Sequence, residues 1–331
     1  MTEKQSEEIE EDITSIRSSL LNEERLKEKR RKEYYALWIG ILAQLFFALT
    51  SVQLKICREN YPLYYTTNNV IFYRSISICL VGYIMTKYKN ERIIPLNEIK
   101  YKGWFFTRSL GNYFIIYLFM VEMTYFRVST AQCFSGCHSI LVFFLSIIVI
   151  NEPFYFRYLL GIIICIIGTG MIVMNERNPN AKEKVYNDNV FIGCIIAIIH
   201  LTMLSFSKFA QKIMSKEKMN GEVQNFYMGL FNGIPALIVM VFDRKFGFNF
   251  NYIIAGMING LFFSGANFCM AVTLSNISMQ KFLPVTYMCN VFIFILGYVT
   301  LGEKVFFTDI IGSLLVLGFN LYDSYMTSLG K

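Results

Sequence analysis

A few ionisable side chains inside long apolar stretches are the residues of this sequence that could do chemistry. Arg74 lies near the middle of one such stretch, and Lys208 lies near the end of another. A charged side chain at the centre of a bilayer costs several kcal/mol unless it faces a cavity or a partner. Arg74 is therefore predicted either to bind an anionic or polar group through its fork of donors, or to pair internally as a structural lock.

The other ionisable residues of these stretches have simpler interpretations beside the chemical ones. His138 and His200 are the only histidines, and an imidazole between membrane helices usually satisfies a hydrogen bond; a proton relay is the alternative. Arg108 and Lys208 lie near the ends of their stretches and are expected to snorkel to the headgroups, with a cavity-facing position as the alternative for Lys208. Glu122, also near a helix end, is expected at the interface.

Metal, nucleotide and covalent chemistry have little support. The eight cysteines include Cys133 and Cys137 on one helical face, but no His/Cys pair stands at metal spacing, so we interpret them as apolar packing residues. The absence of a G-x-x-x-x-G-K-[ST] sequence argues against ATP hydrolysis, and the absence of G-x-S-x-G argues against an esterase-like site. We predict no metal, no cofactor and no enzymatic activity.

The elements that must position these residues are membrane helices. The 331 residues are 54% hydrophobic and only 17% charged, whereas soluble chains are about 25% charged. The apolar residues form runs long enough to cross a bilayer, and we predict an all-α polytopic membrane protein with ten transmembrane helices. The predicted spans are roughly 35–55, 65–86, 104–124, 129–150, 158–174, 190–211, 223–242, 251–273, 282–300 and 306–327.

Charged segments divide the chain into four regions. Residues 1–33 are predicted to form a partly helical cytoplasmic tail, whose basic part would attract anionic lipid headgroups. Residues 34–175 and 190–328 form two five-helix halves, and the polar segment 176–189 links them. Lys and Arg are more frequent on one side, which predicts cytoplasmic N- and C-termini. The first apolar run lacks a cleavage site, so it should stay in the membrane; no signal distinguishes the plasma membrane from an endomembrane.

An internal repeat relates the two halves. Glu152 follows one apolar helix and precedes Gly161, as Glu303 follows another and precedes Gly312; the differences 303 − 152 and 312 − 161 both equal 151. Val128-Ser129 matches Ile277-Ser278 at a difference of 149. With five spans per half, the second copy enters the membrane from the opposite side. Such inverted repeats are typical of secondary transporters, whose substrate site lies near the midplane between the copies.

At these residues the chain resembles the EamA family of the drug/metabolite transporter superfamily, within the wider solute carrier family 35 relatives. The resemblance covers about residues 35–327 and is carried by Arg74, Arg108-Ser-Leu-Gly111, Val128-Ser129-Thr130-Ala131, and the junctions at Glu152 and Glu303. Ser139 and Asn290 stand where family members often carry Pro. The resemblance implies a ten-helix carrier with a central cavity, working by alternating access.

The resemblance also implies which polar residues contact a substrate. Asn112, Asn267 and Asn290 fall on the spans that line the cavity in the family, although hydrogen bonds between helices are an equal alternative. The full set of substrate-binding candidates is Arg74, Asn112, His138, Lys208, Asn267 and Asn290. Structural or coupling roles are predicted for Glu152, Glu303, Arg108, Gly161 and Gly312. The two glutamates are expected to cap the helices that follow them, with proton coupling as the alternative.

The predicted function is secondary transport of a small polar or anionic metabolite, with a counter-substrate or a proton as a further partner and no nucleic acid. A non-transporting membrane scaffold or regulator that docks through the charged tail is the alternative. An intramembrane transferase is a weaker third hypothesis, because it needs clustered catalytic groups that the sequence lacks. The oligomeric state is not predicted.

Overall fold

The computed structural model describes residues 3–60, 66–94, 98–126, 131, 134–174, 190–217, 219–243, 248–301 and 307–328. Several features singled out in the sequence lie outside these residues: Glu303, Cys133, the Val128–Thr130 motif and the predicted linker 176–189.

Helices make up nearly all of the described chain, and it contains no strand, which confirms the predicted all-α class. The twelve helices are α1 (Glu3–Asn60), α2 (Thr67–Tyr88), α3 (Lys102–Ser109), α4 (Gly111–Tyr125), α5 (His138–Ile150), α6 (Phe156–Met174), α7 (Val190–Lys216), α8 (Gly221–Asp243), α9 (Phe250–Asn276), α10 (Met279–Thr286), α11 (Met288–Leu301) and α12 (Phe307–Ser328).

These helices build the ten predicted spans. Six continuous apolar segments are long enough to cross a membrane: they lie in α1, α2, α7, α8 and α9, and in the pair α10–α11. Three shorter apolar helices, Phe134–Ile150, Phe156–Met171 and Ile310–Asp323, supply the fourth, fifth and tenth spans. The third span consists of α3 and α4, which meet at Leu110. Backbone groups inside a bilayer need internal hydrogen bonds, and helices provide them.

The charged N-terminal segment and the first span form one helix of 58 residues. Lys27 pairs with Glu23 at 2.8 Å and Lys32 with Glu28 at 2.7 Å, as the spacing of four predicts. Glu33 belongs to the bundle rather than to a separate tail, because its carboxylate binds Lys281 at 2.7 Å at the start of the ninth span.

The second and seventh spans cross at two glycines, one on each helix, and each glycine packs against the backbone of the other helix. A Cβ added at Gly82 would lie 2.8 Å from the Cα of Phe226, and one added at Gly229 would lie 2.7 Å from the Cα of Cys79. Gly229 follows Gly82 by 147 positions, and Phe226 follows Cys79 by the same number (229 − 82 and 226 − 79). The contact of Gly82 with Phe226 and that of Gly229 with Cys79 are therefore equivalent, as expected for a twofold axis between the repeats.

The fifth and tenth spans make the same kind of paired contact, between positions that are 151 residues apart in the two repeats. A Cβ at Gly161 would overlap the ring of Phe319, and one at Gly168 would lie 2.7 Å from the carbonyl oxygen of Gly312. The pairs Gly161/Gly312 and Gly168/Phe319 are each 151 apart (312 − 161 and 319 − 168). Gly161 and Gly312 therefore lie at helix contacts, and the two five-helix halves are related as inverted repeats.

The fourth and ninth spans are both interrupted near the centre of the bundle. Cys137 precedes α5 with φ −63° and ψ −12°, and Tyr287 precedes α11 with φ −71° and ψ −16°. Each interruption has the same short hydrogen bonds, from Cys137 N to Phe134 O and from Tyr287 N to Pro284 O, both 150 residues apart. A Cβ at Gly136 would lie 3.1 Å from the ring of Tyr287. The two interruptions thus meet each other where the repeats meet.

Candidate functional site

The interrupted helices surround a cavity of about 160 Å³. Seven spans contribute to its wall, the first to fourth, sixth, eighth and ninth, so both repeats build it. Its polar and charged lining residues are Gln44, Thr50, Ser51, Arg74, Arg108, Asn112, Ser135, His138, His200, Thr286, Asn290 and Lys208. Five of the six substrate-binding candidates from the sequence lie on this wall; the sixth, Asn267, lies behind it.

Arg74 is buried between α2 and α9. Close approach of the two helices is possible because Gly256 and Gly260 lack side chains where α9 meets Tyr73 and the carbonyl of Arg74. The guanidinium lies 3.6 Å from the centre of the Phe263 ring, a cation–π contact. Its Nε donor has no hydrogen-bond partner among the described residues.

Arg108 faces the interior, so the expectation that it snorkels to the headgroups is wrong. It is 3% exposed and donates hydrogen bonds to Ser207 Oγ at 3.2 Å and to Asn267 Oδ1 at 2.5 Å. Asn267 is itself fixed, because its amide donates to the Phe263 carbonyl at 2.9 Å. These acceptors, supplied by α7 and α9, stabilise the guanidinium inside the bundle and replace the headgroups.

Lys208 also points into the cavity, and its expected snorkelling is likewise wrong. Its ammonium group lies 4.4 Å from the centre of the Phe47 ring and 3.3 Å from the sulfur of Met270. These contacts are with α1 and α9, and α9 packs against α7. The side chain therefore lines the cavity wall beside Arg108.

Three basic side chains line the cavity, and none of them is paired directly with a carboxylate of the described part of the chain. Arg74, Arg108 and Lys208 form no ion pair with any described Asp or Glu. Removing a charge from water costs several kcal/mol per ion even in real proteins. A site with three such groups is suited to a ligand that brings negative charge.

Neutral polar groups lie around these cations. The His138 imidazole donates from Nδ1 to the Ser135 carbonyl at 2.6 Å, and its Nε2 has no partner among the described residues. The Asn112 amide nitrogen is likewise unpartnered there. The Asn290 amide donates to Thr169 Oγ1 at 3.2 Å. These groups can donate or accept hydrogen bonds on a bound molecule.

An acid–base pair on the cavity wall was not identified from the sequence. Glu122 is fully buried, which corrects the expectation that it lies at the interface, and its Oε2 is 2.7 Å from Nδ1 of His200. The two residues are 78 positions apart, on α4 and α7. Their separation in the sequence does not predict that they are in contact. The sequence shows only that both are ionisable residues within apolar helices.

Glu152 caps a helix of the other repeat, not the helix that follows it. Its carboxylate accepts hydrogen bonds from Met279 N at 3.0 Å and Gln280 N at 3.4 Å, at the first turn of α10. The Gln280 side chain returns the contact by donating to the Pro153 carbonyl at 2.8 Å. Hydrogen bonds thus hold the junction between the fourth and fifth spans against the start of the ninth span.

Comparison with known proteins agrees with this architecture. One solved crystal structure is similar over 89% of this chain and 98% of its own, with a TM-score of 0.69 and 11% sequence identity; at that identity the likeness shows the fold alone. No curated protein matches the chain. The EamA-like transporter family matches residues 34–174 and again residues 191–319. The chain belongs to the EamA-like transporter family.

Membership of the EamA-like family confirms the resemblance found in the sequence. The two matched segments coincide with the two helical repeats whose glycines exchange partners. EamA-like proteins are generally membrane transporters of the drug/metabolite superfamily rather than enzymes. In this member, the first repeat supplies Arg74, Arg108 and His138 to the cavity, and the second supplies His200 and Lys208.

Proposed function

We propose that the chain is a secondary transporter that carries a small organic anion by alternating access through the cavity between its repeats. The observation that supports this most directly is the set of three cations, Arg74, Arg108 and Lys208, on one cavity wall without a described carboxylate partner. An anion bound there would offset part of the free-energy cost of burying these charges. Guanidinium groups also match carboxylates and phosphates in shape.

The size of the cavity favours a small anion over a nucleotide sugar. At about 160 Å³, it is close to the engineered cavity of ~150 Å³ that binds benzene. A carboxylate or phosphate ester with a short carbon skeleton matches that space, and a nucleoside diphosphate does not. The aromatic rings of Phe47, Phe119 and Phe263 supply the apolar part of the wall.

Alternating access is supported by the symmetry of the bundle. Gly82 and Gly229 occupy equivalent positions in one helix crossing between the repeats, so exchanging the conformations of the two repeats would open the opposite side of the membrane. The Glu152 contact with α10 joins the two repeats at the junction between the fourth and fifth spans. In the proposed orientation, which has cytoplasmic termini because Lys and Arg are more frequent on one side, this junction faces the cytoplasm.

The experiment that tests the proposal is uptake by proteoliposomes of a panel of labelled small carboxylates and phosphate esters. We expect Arg74→Gln to lower uptake of the transported compound at least about tenfold, because a hydrogen bond to a charged group contributes ~1.5–3 kcal/mol. Arg92→Gln is the matched control, since Arg92 is exposed and pairs with Glu98 on the surface. Equal uptake by the Arg74 variant for every transported compound would refute the binding role.

A further inference from the structure

We propose that Glu122 and His200 form a proton-binding site that is coupled to anion binding, so that the carrier moves one proton together with its anion. This inference rests on the proposed function, because it assigns the coupling ion of the same cavity. Its basis is a carboxylate–imidazole pair that is buried in the membrane bundle and touches the cavity through the imidazole alone.

The geometry identifies the atom that takes up the proton. When Glu122 is ionised, its Oε2 can only accept, so the Nδ1 of His200 at 2.7 Å donates its hydrogen to it,. The neutral imidazole then carries its free lone pair on Nε2, which becomes the site of protonation. The carboxylate fixes the ring orientation and stabilises the imidazolium, as the acidic member of a catalytic triad does.

The position of the pair gives the proton a route through the substrate cavity. His200 lines the cavity, while Glu122 lies behind it and is fully buried. The ring of Phe119, another lining residue, packs 5.5 Å from the imidazole centre. Oε1 of Glu122 has no hydrogen-bond partner among the described residues. A proton in the cavity therefore meets the imidazole first.

The fold itself does not require an acid–base pair at this place. The pair joins the third and sixth spans, and the repeat symmetry makes the equivalent crossing that of the eighth and first spans. There the hydroxyl of Thr273 donates to the Ala36 carbonyl at 3.1 Å, and Gly40 packs on Thr273. A neutral hydrogen bond is enough to hold that crossing, so the charged pair calls for a function beyond packing.

The charges around His200 couple its protonation to anion binding. The titratable groups that share the cavity with it are Arg74 on α2, Arg108 on α3, His138 on α5, Lys208 on α7 and Cys289 on α11; α1 and α9 contribute only uncharged lining residues. Protonation changes the Glu122–His200 pair from one negative charge to neutral. An anion among the three cations and a proton on His200 therefore favour each other, and the coupling is reciprocal.

Sulfate is a suitable probe, because its charge stays constant over the whole pH range of the measurement. The sequence has two histidines, so ¹⁵N-histidine-labelled protein gives two imidazole spectra, and His138→Gln identifies which belongs to His200. We expect saturating sulfate to raise the pH at which His200 titrates. We also expect sulfate to bind about tenfold more tightly at low pH than at high pH, within the usual range of coupling.

Two variants separate coupling from structure. Glu122→Gln keeps an acceptor for Nδ1 but removes the negative charge that stabilises the imidazolium, so sulfate should still bind and the pH dependence of its binding should move to lower pH. Thr273→Val removes the hydrogen bond of the equivalent crossing and should leave the pH dependence unchanged. If Glu122→Gln does not fold, the wild-type titration with and without sulfate decides the matter.

Two results would refute the proton coupling alone, and a third would also refute the proposed anion transport. Sulfate binding whose affinity does not vary with pH refutes proton coupling and leaves the anion carrier standing. A pH dependence of sulfate binding that is the same in Glu122→Gln as in the wild type also refutes the assigned site. If neither sulfate nor any small carboxylate or phosphate ester binds at any pH, the proposed function fails and the coupling falls with it.

Discussion

Gly82 and Gly229 occupy equivalent positions of the two repeats and lie in the same helix crossing. Gly82 packs against the backbone of Phe226, and Gly229 packs against the backbone of Cys79, which is the residue equivalent to Phe226. Because Phe226 and Cys79 are approached at their Cα atoms, a side chain on either glycine must push two helix backbones apart. The crossing is therefore a fixed contact through which the repeats are joined.

Replacing either of these glycines by alanine should destabilise the protein. We expect Gly82→Ala and Gly229→Ala each to lower the free energy of unfolding by about 1–3 kcal/mol, the usual cost of overpacking. Thermal unfolding of the purified protein measures the effect. Gly111→Ala is the control, because a Cβ there meets nothing within 4 Å; equal melting temperatures for all three variants would contradict the tight crossing.

A second glycine series distinguishes rigid from adjustable contacts. Gly168→Ala should cost more than Gly161→Ala, because the carbonyl of Gly312 cannot move away, whereas the tip of the Phe319 ring can. Gly170→Ala on the same helix meets open space and should be neutral or slightly stabilising, since alanine favours a helix. We expect the unfolding midpoint to be lowest for Gly168→Ala, higher for Gly161→Ala and highest for Gly170→Ala. A reversed order would show that the fifth and tenth spans are packed differently.

The repeat was accessible to sequence reasoning, while the inward positions of the ionisable side chains were not. The difference of 151 joining Gly161 to Gly312 is a property of the linear sequence, and the structure shows the corresponding contacts. Arg108 depends instead on acceptors at Ser207 and Asn267, which come from the other repeat. Distance from a helix end suggests snorkelling, but it cannot reveal a helix interruption at Leu110 or a distant acceptor.

Glu152 illustrates the same limit for a local rule. A glutamate just before a helix predicts capping of that helix, and sequence distance alone favours this choice. The inverted arrangement instead brings the start of α10 next to the junction, where the amides of Met279 and Gln280 are free donors. The carboxylate binds those amides, and only the three-dimensional arrangement of the repeats could identify the partner.

Removing the Glu152 cap should weaken the contact between the repeats. We expect Glu152→Ala to lower the free energy of unfolding by about 0.5–2 kcal/mol, as loss of a helix cap does. Glu152→Gln should lose less, because its side-chain oxygen still accepts from the amides of α10. Glu98→Ala, which removes a surface carboxylate paired with Arg92, provides the reference. Equal stability of Glu152→Ala and Glu98→Ala, measured by chemical unfolding, would show that the cap contributes nothing.

Adding a carboxylate beside Arg108 should have opposite effects on stability and on binding. Asn267→Asp places a negative charge at the oxygen that already accepts from the guanidinium, so the unfolding temperature should stay the same or rise. The same charge competes with a bound anion, and sulfate affinity should fall about tenfold or more, which corresponds to ~1.4 kcal/mol. Asn276→Asp, an exposed change on the same helix, should alter neither quantity. Unchanged sulfate affinity in Asn267→Asp would remove Arg108 from the anion site.

Deleting the charged N-terminal segment separates a carrier from a scaffold that docks through its tail. Removal of residues 1–22 leaves the ion pair between Glu33 and Lys281 and the buried side chains of Ala36 and Leu37 in place. A carrier whose site lies in the cavity should then keep wild-type uptake in proteoliposomes. Removal of residues 1–33 also breaks the ion pair, so a lower unfolding temperature is expected for the longer deletion alone.

The two deletions therefore give different results under the two hypotheses. If uptake persists after removal of residues 1–22, transport is a property of the bundle and the tail is dispensable for it. Loss of uptake with an unchanged unfolding temperature would show that the segment before Glu33 takes part in the activity itself. Lys27 and Lys32 are exposed, and each pairs with a glutamate one turn earlier in α1. The described lining of the cavity begins at Gln44, and we therefore expect the first result.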